Sequence, residues 1–165
     1  MKKGILSSYS VQGEQFIDQG PKPSFWRAPT DNDVGAGFNT SLRKWRNAYD
    51  NGTEMQALVS KNTDASVLVK FITKLVDGEA SHQQQFTVYG DGSIKVDNEF
   101  TAIKGENPLL LRAGNDLVIN KNFDTINWYG RGPGENYWDR KTNTFIGQFK
   151  QSVGEQYYPY ARPQE

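Results

Sequence analysis

Every second residue from Val67 to Leu75 (Val67, Val69, Phe71, Thr73 and Leu75) falls on one face of an extended chain. That period of two predicts a strand over residues 66–76. The same alternation sets Ile94, Val96 and Phe100 against Lys95, Asp97, Glu99 and Thr101, and Gly90-Asp91-Gly92 separates this run from residues 82–89 as a hairpin turn would. Ile5, Ser7, Tyr9 and Val11 alternate ahead of Gln12-Gly13-Glu14 and Gln15-Phe16-Ile17, which predicts an opening hairpin. Further strands are predicted over residues 53–61, 117–119, 123–128 and 145–149, and Asp77-Gly78 reads as a turn. Gly20, Pro21 and Pro23 break the pattern, so residues 18–24 are expected to form an irregular connection. Only Leu42, Trp45 and Tyr49 recur at helical spacing. With Asn39, Thr40 or Ser41 as cap and Asn51-Gly52 as stop, they predict one short helix near residues 40–49. Turn signals about every 10 residues point to an all-β fold, an antiparallel β-sandwich. No repeat or linker divides the chain, so residues 1–165 are expected to form a single domain.

Composition narrows the partners more than the fold. Lys and Arg together number 19 and so do Asp and Glu, so no net field draws in a polyanion and nucleic acid is not expected as a partner. No apolar run has the length of a bilayer span, so no membrane contact is expected. Cysteine is absent, which removes disulfides, thiol catalysis and thiolate metal sites, and the compartment stays open. Aromatic residues make up 13% of the chain, so large rings are expected to dominate the core.

Two stretches are chemically dense. The first, residues 25–37, reads Phe-Trp-Arg-Ala-Pro-Thr-Asp-Asn-Asp-Val-Gly-Ala-Gly: an anchored foot followed by a tip that two glycines loosen. The second, residues 129–140, joins a glycine-rich bend to Glu135, Asn136, Tyr137, Trp138, Asp139 and Arg140. Between them they hold Asp31, Asp33, Glu135 and Asp139, and glycoside hydrolysis needs two carboxyl groups roughly 5 to 9.5 Å apart. The plainer reading is preferred. Asp-Asn-Asp runs form turns, and Glu135 and Asp139 are expected to pair with Arg131 and Arg140. No catalytic residue is therefore assigned.

Other sites fare no better. Pro133 spoils residues 130–134 as a phosphate cradle, and Asp31 with Asp33 lacks the further acids of a calcium loop. His82, the sole histidine, is expected on a strand surface. Most of the four tryptophans are expected in the core, with Trp138 the most exposed.

Taken as motifs, residues 25–35 (Phe-Trp-Arg-Ala-Pro-Thr-Asp-Asn-Asp-Val-Gly), residues 128–140 (Trp-Tyr-Gly-Arg-Gly-Pro-Gly-Glu-Asn-Tyr-Trp-Asp-Arg) and residues 158–165 (Tyr-Pro-Tyr-Ala-Arg-Pro-Gln-Glu) resemble signatures of glycoside hydrolase family 2 β-galactosidases. Their order matches the family's C-terminal β-sandwich domain. The resemblance implies a galactose-mutarotase-like supersandwich of which this chain holds the N-terminal part. It further implies that the catalytic glutamates, and the magnesium and sodium that the family uses, belong to other domains of the parent, so no cofactor or metal is expected in this chain. The implied partners are those remaining domains, a galactoside reached through the parent, and further copies of a homo-oligomeric parent.

One moving part is implied by position. Gly35 matches the glycine on which the family's loop swings toward the active site, with Ala36, Gly37, Phe38 and Asn39 as its tip. Trp26, Arg27, Asp31, Asn32, Asp33, Glu135, Asn136, Tyr137, Asp139 and Arg140 match structural motif positions. The resulting expectation is a non-catalytic segment of a retaining β-galactosidase. Two alternatives stand beside it: a carbohydrate-binding module, and a structural or oligomer-contact domain.

Overall fold

The computed structural model of the protein describes residues 4–104, 108–136 and 141–157. Two compact units divide it, residues 1–119 and residues 120–163. The first holds two antiparallel sheets. Four strands, β3 (Thr53–Thr63), β4 (Ser66–Leu75), β5 (Ala80–Tyr89) and β6 (Ile94–Ala102), pair in sequence order. A smaller sheet sets β2 (Glu14–Ser24) between β1 (Tyr9–Val11) and β7 (Gly114–Ile119). The all-β architecture read from the alternation is the one observed.

Register puts the rings where the alternation requires. Thr73 lies opposite His82 and His82 opposite Phe100, while Phe86 lies opposite Val69 and Val96. Phe71, Leu75, Ala80 and Phe86 are thereby buried, and Phe25, Trp45, Ala48 and Tyr49 close over Leu75 and Ala80 in one cluster. A fully buried phenylalanine stabilises by roughly 1.5–3 kcal/mol relative to exposure, so the ring-rich composition suffices for a core. Gln84 stitches the two sheets together, its Nε2 donating to Asn98 Oδ1 at 3.2 Å, Asn115 Oδ1 at 3.0 Å and the Pro21 carbonyl at 3.4 Å.

Three expectations are corrected. Residues 18–24 are not an irregular connection, because β2 continues to Ser24 and pairs with β7. The ladder shifts register between Ile17 and Gln19 and again between Gln19 and Lys22, irregularities of the kind that let a strand carry residues without an N–H. The single helix near residues 40–49 is replaced by α2 (Phe38–Ser41), a 3₁₀ turn (Arg43–Trp45) and further turns. Its apolar face was read correctly, with Trp45 and Tyr49 buried and Leu42 packed on them. What changes is the bonding, since Trp45 N donates to Leu42 O and Arg46 N to Arg43 O, a three-residue step tighter than an α-helix. Asn39, Thr40 and Ser41 do not cap it, for the N-cap is Gly37. Finally, His82 is no surface residue: it is only 3% exposed, because even-numbered positions of β5 face the core.

The second unit is built on a ribbon of β8 (Thr125–Gly132) and β9 (Phe145–Ser152). β8 runs through Gly130 and Gly132, so the expected bend is delayed to Pro133. Phe149 and Trp128 pack against Gly132, where an added Cβ would stand 2.8 Å from Phe149 Cδ2 and 2.9 Å from Trp128 Cζ2. Only glycine fits there. After β9, Ser152 and Glu155 form a capping box on a short 3₁₀ turn, Val153–Gln156.

Candidate functional site: the foot and tip of the first dense motif

The motif begins in the core and ends in solvent. Phe25, at its start, meets His82 at 5.5 Å, Phe100 at 5.4 Å and Trp45 at 6.4 Å between ring centroids. This pins the chain just before Trp26, which is half-buried. Arg27 then ties the segment to a distant stretch: its Nε donates to the Leu111 carbonyl at 3.1 Å, and its Nη1 to Ala28 O at 3.1 Å and to Asp33 Oδ2 at 2.6 Å.

The Asp-Asn-Asp run starts a helix and does not form the expected tight turns. Thr30 caps α1 (Asp31–Gly35), and its Oγ1 accepts from Asp33 N at 3.3 Å while Asp33 Oδ2 accepts from Thr30 N at 2.8 Å. This reciprocal box satisfies donors that a helix N-terminus otherwise leaves open, and it favours negative charge there. Asp33 is buried, and burial alone raises its pKa. The Thr30 amide, the Arg27 guanidinium and the Thr30 hydroxyl outweigh that and hold the carboxyl below the usual aspartate range. Asp33 is an ionised structural acceptor, unsuited to donating a proton near neutral pH.

We expect Asp33→Ala to cost about 2 kcal/mol in a denaturant melt, combining a lost cap with a guanidinium deprived of its carboxylate. An unchanged midpoint would show that the foot does not depend on this box. Thr30 was not singled out in the sequence, although Thr30-x-x-Asp33 is a capping-box spacing that reveals it. Leu111, as a carbonyl acceptor, leaves no sequence signal at all.

The tip follows directly. Gly35 ends α1 without a positive φ, and a Cβ added there would meet nothing within 4 Å. Gly37 differs: it sits at φ 74° and ψ 12°, the left-handed region, and its carbonyl accepts from Ser41 N as α2 begins. Asp31, Asn32, Val34, Gly35, Ala36 and Gly37 are exposed, and Phe38 and Asn39 half-exposed. The conformational demand on glycine therefore falls on Gly37. Gly37→Ala is expected to cost about 1 kcal/mol by thermal melt, whereas an equal loss for Gly35→Ala would contradict this assignment.

The second dense motif is only partly described. Glu135 and Asn136 are exposed, and Arg131 spends Nη1 on the carbonyls of Thr144 at 2.9 Å and Lys141 at 3.4 Å. Tyr137, Trp138, Asp139 and Arg140, like residues 158–165, lie outside the described residues. Among the described residues no group of three or more His, Cys, Asp or Glu side chains converges as a metal centre would require.

A family model described as the β-galactosidase small chain matches residues 1–165. The chain belongs to the β-galactosidase small-chain family. Relatives agree with this assignment. A β-galactosidase of Priestia megaterium is 37% identical over 164 residues, which cover 99% of this chain and 16% of the relative. Those of Psychromonas ingrahamii and Lactobacillus delbrueckii subsp. bulgaricus are 32% and 34% identical, again over 99% of this chain and over 17% and 16% of their own lengths. This small-chain segment thus spans about one sixth of the curated relatives it matches.

Proposed function

We propose that this chain is the non-catalytic β-sandwich segment of a β-galactosidase whose parent hydrolyses terminal β-D-galactosides with retention, through a covalent glycosyl-enzyme. Its contribution is a scaffold that presents the segment from Gly35 to Asn39 as a gate toward the parent's active site. The observation that carries the reading is the contrast inside one motif. The foot, Phe25 to Asp33, is locked by rings, a guanidinium and a capping box, while the tip is exposed at Ala36 and Gly37, half-exposed at Phe38 and Asn39, and turns on a left-handed glycine. A hinge needs such a fixed base beside a segment free to change φ and ψ. Asp33, with its oxygen already engaged by Thr30 and Arg27, supports leaving catalysis to other domains.

The reading is tested by assaying the isolated chain on a chromogenic β-galactoside. Release at the rate of a protein-free blank is the expected result. Turnover above the blank that disappears in Asp33→Asn would place chemistry in this chain and end the proposal.

A further inference from the structure

Alternation sorts the two faces of the β8–β9 ribbon. Ile126 and Trp128, with Phe145 and Phe149 across the ladder, share one face with Gly130, Gly132 and Gly147. Rings pack on rings there, with centroids 5.3 Å apart for Trp128–Phe149 and 5.6 Å for Phe145–Phe149. The other face carries Asn127 opposite Lys150 and Tyr129 opposite Gln148, the polar set of a water-facing surface. Arg131 opposite Ile146 continues that face, and two apolar side chains stand out on it, Ile146 at 57% and Tyr129 at 76% exposed. A shallow, open hollow of about 510 Å³ borders this tyrosine, lined by Asn127, Trp128, Tyr129, Gln148, Phe149 and Lys150.

We propose that this hollow binds a neutral saccharide, with a pyranose stacked on Tyr129. The C–H face of a pyranose complements an aromatic face, and Tyr129 presents an exposed ring beside Asn127, Gln148 and Lys150. The amides of Asn127 and Gln148 each offer donors and an acceptor, the combination that neighbouring hydroxyls of one sugar require. Lys150 adds donors. Among the described residues the lining contains no carboxylate to repel or bind a charged group, and a single ammonium provides no track for a run of phosphates. The inference does not depend on the gate.

Saturation-transfer NMR on the 165-residue chain with lactose tests it. Transfer to sugar ring protons is expected, Tyr129→Ala should weaken binding about tenfold, and Tyr129→Phe should preserve it because the ring face carries the contact. Tyr157, 75% exposed and outside the hollow, supplies the control: Tyr157→Ala should leave the signal unchanged. Circular dichroism identical to the unsubstituted chain shows that the variants fold, as expected for exposed positions. Absence of transfer, or equal transfer in Tyr129→Ala, overturns the proposal, and neither outcome bears on where galactoside hydrolysis takes place.

Discussion

Trp45→Ala should lower the free energy of unfolding by about 3–5 kcal/mol, the cost of emptying a large aromatic site in a packed core. Trp45 is 1% exposed, and its ring meets Phe25 at 6.4 Å and Phe100 at 5.7 Å. Its removal takes away the surface on which Phe25 rests, and with it the base of the motif that leads to the tip. A domain holding only 5–15 kcal/mol in total loses a large part of its margin. Trp45→Phe should recover most of the loss, because a ring still fills the site. Urea denaturation decides the matter: a cost below about 1 kcal/mol for the alanine variant would mean that the cluster collapses without strain and that Trp45 is not its centre.

Acid should weaken the fold through His82. Burial is the first cause, and it drives the His82 pKa down to about 4 against a hydrogen bond with Asn98 that pulls the other way. The ordinary histidine value is about 6.5, so between those two values the unfolded chain takes up a proton that the folded chain excludes. Stability is therefore complete above pH 6.5 and falls as pH drops toward 4, by on the order of 3 kcal/mol at most. Asp33 acts in a lower window. Its depressed pKa keeps its contribution intact above the usual aspartate value and removes it only as pH falls further.

As the sole histidine, His82 can be tested without ambiguity. Urea midpoints measured from pH 7.5 down to pH 4.5 should fall in the natural chain and fall less in His82→Gln, which has no proton to gain. Parallel pH profiles for the two would refute the assignment.

The strands were legible because their signal is local. Phe71, Thr73 and Leu75, and likewise Ile94, Val96 and Phe100, recur on one face, and a strand with one buried face has little freedom to do otherwise. β2 was not legible past Ile17, because the register shifts near Pro21 and Pro23 are a property of the pairing with β7. The helical face at Trp45 and Tyr49 was visible, but the contacts of those rings, Trp45 with Phe25 and Phe100 and Tyr49 with His82, are with residues distant in sequence, and the 3₁₀ bonding carries no spacing signal of its own. His82 was misplaced for a related reason: a lone imidazole in a strand reads as polar, and only its opposition to Thr73 and Phe100 reveals a core position.

Within the candidate site, Arg27 and Asp33 were visible as motif residues while their bond to each other was not. A guanidinium that reaches both Asp33 and the Leu111 carbonyl joins positions 84 residues apart, and no spacing rule records that. The capping box, by contrast, spans three residues and is written plainly as Thr30-x-x-Asp33. Gly35 and Gly37 look alike in the sequence. Backbone geometry separates them, since only Gly37 occupies the left-handed region.

That separation makes Gly35 the cleanest probe of the gate. A methyl group there meets nothing within 4 Å, and the backbone already suits alanine, so Gly35→Ala leaves the observed conformation intact or steadies α1 by up to about 1 kcal/mol. Any kinetic change must then come from the conformation the tip moves into. The decisive measurement is kcat and KM for galactoside hydrolysis by the complete parent enzyme carrying Gly35→Ala, with Tm recorded on the same preparation. The account predicts an altered kcat or KM with Tm unchanged or slightly raised; kinetics identical to the unsubstituted enzyme would show that the tip does not gate the reaction.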